Sequence, residues 1–104
     1  MEMSTLERLK HLQGLVENYG SDLLIDVTIN KLLNTKRREL AKSLAEVSRE
    51  IEKLEQTYQM NTNDFWTRYN EGTLGDKVDY LKWASLIDMQ GRLERQMRYL
   101  ESDA

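Results

Sequence analysis

The stretch KLLNTKRRELAKSLAEVSREIEKLEQTY, residues Lys31–Tyr58, carries two interleaved seven-residue repeats. Leu33, Leu40, Val47 and Leu54 form one; Arg37, Leu44, Ile51 and Tyr58 form the other, four residues behind. Alternating steps of four and three keep one stripe of an α-helix apolar and let it wind against a partner helix as a coiled-coil seam. Arg37 is the charged interruption of that seam. The pattern predicts one long helix, and nothing breaks it between Asp22 and about Gln59.

Upstream, LLIDVTIN (Leu23–Asn30) places β-branched residues in near alternation and has the look of a strand. No second stretch of comparable quality exists to pair with it, so it reads as the first part of the same helix. The N-terminal stretch STLERLKHLQGLVENYG opens with Ser4 and Glu7 at capping-box spacing. Leu6, Leu9, Leu12, Val16 and Tyr19 then recur at steps of three and four, and Gly20 ends a short amphipathic helix.

Downstream, QMNTNDF breaks the long helix and offers two asparagines and a threonine as caps for the next one. A short helix over Asp64–Glu71 stops at Gly72, which suits the left-handed residue after a helix end. GTLGD is a tight connector in which Gly72 and Gly75 both read as turn glycines, so that replacing either should strain the turn. A last helix runs Lys77–Glu101, with Asp76 and Asp79 at the positive end of its dipole. Trp83, Leu86, Gln90, Leu93, Met97 and Leu100 form its seam, and Tyr80 and Ile87 widen it.

The expected architecture is all-α. It is an antiparallel hairpin of two long helices, coiled-coil-like, with short helices at the N-terminus and at the bend, in one domain over residues 1–104. Leu54 should meet Trp83 near the bend, and Leu40 should meet Met97 near the open end. Gln90 and Arg37 interrupt apolar seams, as polar groups that set register often do.

Composition supports this reading. The 104 residues contain no proline, and 32% of them are charged. The formal charge of −3 is too small to mark the whole surface for nucleic acid or an anionic membrane. The absence of cysteine rules out disulfides and thiolate metal ligands. No window has the roughly 20 apolar residues of a membrane span. MEMSTLERLKHLQGL lacks the pattern of a secretory signal. A cytoplasmic location is expected.

Groups for catalysis are scarce. His11 is the only histidine, beside Lys10 on the polar side of the first helix. Asp76 and Asp79 could hold a hard cation or act as acid and base, but their position explains them as dipole partners. GTLGD lacks the spacing and preceding strand of a phosphate loop. Glu50, Glu52 and Glu55 alternate with Arg49 and Lys53 as solvated helix faces do. No enzyme, cofactor or metal is expected. Lys36, Arg37, Arg38 and Lys42 make a basic stretch that could meet phosphates, yet no DNA-reading unit or interleaved aromatic surrounds it.

Six of the eight aromatic residues lie between Tyr58 and Trp83. Rings at the bend of a hairpin supply burial where a leucine seam opens, and that accounts for most of them. Phe65, Trp66 and Tyr69 span too much of a two-turn helix for all to point inward. Trp66 is expected at the surface, and Trp66, Arg68 and Tyr69 are the candidate partner-binding residues.

The block FWTRY…EGTLGDKVDYLKW resembles a group of small helical proteins of bacteria and archaea found as the antitoxin half of two-gene toxin–antitoxin operons. Phe65, Tyr69, Gly72, Leu74, Gly75, Asp76, Asp79, Tyr80 and Trp83 carry the resemblance, and LEQTYQMNTNDF resembles the group's lead-in. It covers roughly residues 33 to 100; the first 30 share only helical, leucine-rich character. The resemblance implies a non-catalytic type II antitoxin whose partner is a cognate protein toxin. The alternative is an oligomeric coiled-coil adaptor or scaffold with no toxin. Either should self-associate as a homodimer in isolation, because so thin a hairpin cannot cover its own seam, the Tyr80 and Ile87 row and the leucines of Leu6–Leu15. The alternative is that the open face is reserved for a partner.

Overall fold

The computed structural model describes residues 2–101, and every regular element among them is helical. Helix α1 spans Thr5–Tyr19, α2 Leu23–Tyr58, α3 Thr62–Glu71 and α4 Val78–Glu101. LLIDVTIN lies inside α2, and its helical start is capped by Asp22, whose carboxylate accepts the Ile25 N–H at 2.9 Å. A helix closes its own hydrogen bonds, which an unpaired strand cannot. Helix α3 begins two residues before the expected Asp64, because Asn61 is its cap and accepts the Asp64 N–H at 2.8 Å.

The chain packs as two compact units, Met1–Asn34 and Thr35–Ala104, divided within α2. In the first unit, Ser4 caps α1 by accepting the Glu7 N–H at 3.1 Å, while its hydroxyl donates to the Glu7 carboxylate. Gly20 closes α1 at φ +82°, its N–H bonded to the Val16 carbonyl at 2.8 Å. No residue of α1 is buried. Leu12, Val16, Ile25 and Ile29 are half-buried, whereas Leu6, Leu9 and Tyr19, expected on the same apolar face, stand exposed.

In the second unit, residues of α2 and α4 turn inward. Val47, Ile51 and Leu54 of α2 and Tyr80 and Trp83 of α4 are buried. Leu86, Ile87, Gln90, Leu93, Met97 and Leu100 are half-buried. Bonds between the helices join Arg37 to the Leu100 carbonyl, Gln90 to Ser48, Lys82 to Glu50 and Tyr58 to Asp79. Along these pairs the α4 partner lies earlier in the chain as the α2 residue lies later. Leu54 and Trp83 share one core cluster, as expected. Both polar interruptions are satisfied. Gln90 donates to the Ser48 hydroxyl at 3.2 Å, and the Arg37 guanidinium donates twice to the Leu100 carbonyl, at 3.2 and 2.7 Å. That carbonyl lies in the last turn of α4, where backbone acceptors lack helical partners and cations oppose the dipole.

Candidate partner surface at the bend

The core is deepest where α3 meets α4. Phe65 and Trp83 are the two fully buried side chains there, stacked with ring centroids 4.1 Å apart and planes 3° from parallel. Tyr58, Tyr69 and Tyr80 pack around them, with Tyr80 at 5.8 Å and Tyr69 at 5.3 Å from the Phe65 ring. Two fully buried large rings contribute on the order of 1.5–3 kcal/mol each through burial alone, and more through their stacking.

Polar groups at this end are paired. The Trp83 indole N–H donates to the Thr62 hydroxyl at 3.3 Å. Thr62 in turn donates its hydroxyl and its backbone N–H to one oxygen of Glu55, at 2.9 and 2.8 Å. Glu55 thus satisfies an open donor at the α3 N-terminus, where a carboxylate also meets the positive end of the dipole. This corrects the expectation that Glu55 belongs to a solvated face. It is half-buried, and it ties the end of α2 to the start of α3 and the indole of α4. Glu50 is also half-buried and takes Lys82 at 3.3 Å and Lys53 at 3.4 Å, which hold its carboxyl below the usual range, Lys82 first. No local pattern in the sequence marks the Glu55 link, which runs through Thr62 of α3 to Trp83 of α4.

The Tyr58 hydroxyl donates to Asp79 at 2.6 Å. That bond, with desolvation and the carboxylate's charge, pushes the Tyr58 phenol up to about 12. The Lys77 ammonium lies over the Tyr58 and Tyr80 rings, at 5.2 and 5.9 Å. Asp79 therefore has a specific partner besides the helix dipole. Among the described residues no group of three or more His, Asp or Glu could hold a metal ion, and no helix is long and apolar enough to cross a membrane.

Against this buried stack, α3 presents one large ring outward. Trp66 is 42% exposed and stacks on Tyr69, centroids 6.3 Å apart at 21°. Arg68 beside it is exposed, and Tyr69 is half-buried between Phe65 and Trp66. The three candidate residues lie together on one short helix held at both ends. At its C-terminus Gly72 takes the left-handed conformation, φ +73° and ψ 20°. The Gly72 N–H bonds to the Tyr69 carbonyl and the Thr73 N–H to the Arg68 carbonyl, at 3.2 and 3.1 Å. Those two bonds are the pair by which a left-handed residue closes a helix. Gly75 corrects the sequence reading. Its φ lies outside the left-handed region and nothing stands within 4 Å of where a Cβ would project.

The basic stretch is spread among separate partners. Lys36 pairs with Glu39 at 3.3 Å, Arg38 donates to the Thr35 hydroxyl at 3.4 Å, and Arg37 holds the Leu100 carbonyl. Lys42 is exposed on the next turn. His11 is exposed on α1.

Comparison with family models, with curated proteins and with solved structures gives no match to this chain.

Proposed function

We propose that this chain is a non-catalytic protein-binding inhibitor, the antitoxin of a type II toxin–antitoxin pair, and that it docks its toxin through Trp66, Arg68 and Tyr69. The observation that carries the proposal is the exposed Trp66 ring, stacked on Tyr69 beside Arg68 on a helix clamped at both ends. Trp, Tyr and Arg dominate binding hot spots, and anchors already fixed in place lose little entropy on docking. Inhibition needs no chemistry from this chain, only a surface that covers the toxin's active site or holds it in an inactive assembly. The resemblance of the FWTRY…EGTLGDKVDYLKW block to antitoxin-like chains points the same way.

The scaffold in this reading is an antiparallel, coiled-coil-like hairpin of α2 and α4 with α3 across its bend. The pairs Arg37–Leu100, Ser48–Gln90 and Tyr58–Asp79 support that direction. The chain is further taken to be a homodimer. The adaptor reading shares all of this except the toxin.

Expression of the adjacent gene alone and together with this chain tests the function. The expected result is toxicity alone and protection on co-expression. A harmless neighbour, or one that stays toxic with this chain present, overturns the antitoxin reading. With protection established, Trp66→Ala should weaken toxin binding by roughly 30-fold, the equivalent of about 2 kcal/mol at a hot spot.

A further inference from the structure

The unit Met1–Asn34 holds α1 and the start of α2, and among its described residues not one side chain is buried. Between them runs an open groove of about 390 Å³, floored by Leu12, Val16, Ile25 and Ile29 and edged by Leu9 and Asp26. Leu9, on the groove edge, is 48% exposed. So open a groove cannot enclose a small molecule, whose sites bury roughly 70–90% of the ligand. What fits is another ridged helical face.

Charge selects which one. From Leu12 to Asn30 the unit carries only acids, Glu17, Asp22 and Asp26, and no lysine or arginine. Its cations, Arg8, Lys10 and Lys31, lie away from the turn between the helices, together with Glu2 and Glu7, so that region is weakly positive while the turn is acidic. Two such units packed in the same direction set acid against acid at the turn. Packed in opposite directions, each acidic turn meets the other copy's weakly positive region. Lys10 and Glu17 are seven residues apart, two turns on one flank of α1, and they bracket Gln13. Turning α1 end for end about a two-fold axis near Gln13 brings each Lys10 to the other copy's Glu17.

We infer that the groove face of the first unit is a self-association surface, on which a second copy of this chain packs face to face and antiparallel, α1 against α1. This rests on the homodimer part of the proposed function and names its surface. It is independent of the toxin and of Trp66.

Sedimentation of the full chain in low salt, over a range of concentrations, tests it. A dimer is expected. Leu9→Glu should give a monomer with unchanged helix content, since Leu9 is exposed and its loss does not disturb the fold. Lys10→Glu alone should weaken the dimer by roughly three- to tenfold, and Lys10→Glu with Glu17→Lys should restore it. Because the chain has no cysteine, Gln13→Cys should oxidise to a covalent dimer of native helix content. A monomeric wild-type chain overturns both the surface and the homodimer. A dimer indifferent to Leu9→Glu and Lys10→Glu, or one that Gln13→Cys cannot link, overturns the surface alone.

Discussion

Phe65 and Trp83 lie face to face, centroids 4.1 Å apart and planes 3° from parallel, both rings fully buried. One ring comes from α3 and the other from α4, so this contact holds α3 in place. Trp66, one residue along, uses that fixed platform to face solvent. The two tryptophans should therefore respond oppositely to truncation. Trp83→Ala should cost about 3–5 kcal/mol, read as a large drop in melting temperature. Trp66→Ala should cost under about 1 kcal/mol and leave helix content unchanged. Equal losses from the two would contradict this division of roles.

The Tyr58–Asp79 bond gives stability a pH dependence at high pH. Tyr58 keeps its proton to about 12 in the folded chain, whereas an unfolded tyrosine releases it near about 10. Between those values the unfolded state binds fewer protons than the folded one, so stability falls as pH rises. The advantage of the wild type over Tyr58→Phe should be full below about pH 10 and gone by about pH 12. Denaturant melts of both proteins across this range check it. Parallel curves would remove Asp79 as the cause.

Backbone conformation separates three turn positions. Gly72 at φ +73° has open space where a Cβ would project, so Gly72→Ala should cost about 1–2 kcal/mol from the left-handed backbone alone. Gly75→Ala, free of that constraint, should be nearly neutral. Among the described residues Gln59 is the one non-glycine with positive φ, at +50°, where the Met60 N–H reaches back to the Glu55 carbonyl at 3.2 Å. Gln59→Gly should thus stabilise by about 0.5–1 kcal/mol. Thermal melts of the three variants should rank in that order.

Gln90 of α4 and Ser48 of α2 form a hydrogen-bonded polar pair between the two helices. Gln90→Leu alone leaves the Ser48 hydroxyl without its donor and should change stability by less than about 1 kcal/mol. Gln90→Leu with Ser48→Ala removes both partners and should melt higher than either single variant. If the pair sets register, the double variant should also sediment as a broader mixture of oligomers. A sharper single species would remove the register role.

Much of the helical layout can be read directly from the chain. The seven-residue repeats of Leu33–Tyr58, the Ser4 cap with Glu7 three residues on, and Gly72 after Glu71 are local features. A backbone period or an open helix end is specified by residues within a turn or two of it. That is why the elements match in kind, even where LLIDVTIN alternates like a strand, and why α3 differs only by the choice of Asn61 as cap. It is also why Trp66 could be expected outside: three bulky rings on two helical turns cannot all share one side.

Other features depended on residues that no local pattern connects. Glu55 in sequence is one charge among many; it became half-buried only because Thr62 and Trp83 arrive beside it from two other helices. Gly75 looks like Gly72 in sequence, but the path of the connector left it an ordinary backbone conformation. The leucines of α1 form a regular apolar stripe, yet nothing within the first unit is bulky or close enough to bury them. Helix period and end-capping are set by neighbours along the chain. Burial and pairing are set by what distant segments bring to the same place, and that only the tertiary structure decides.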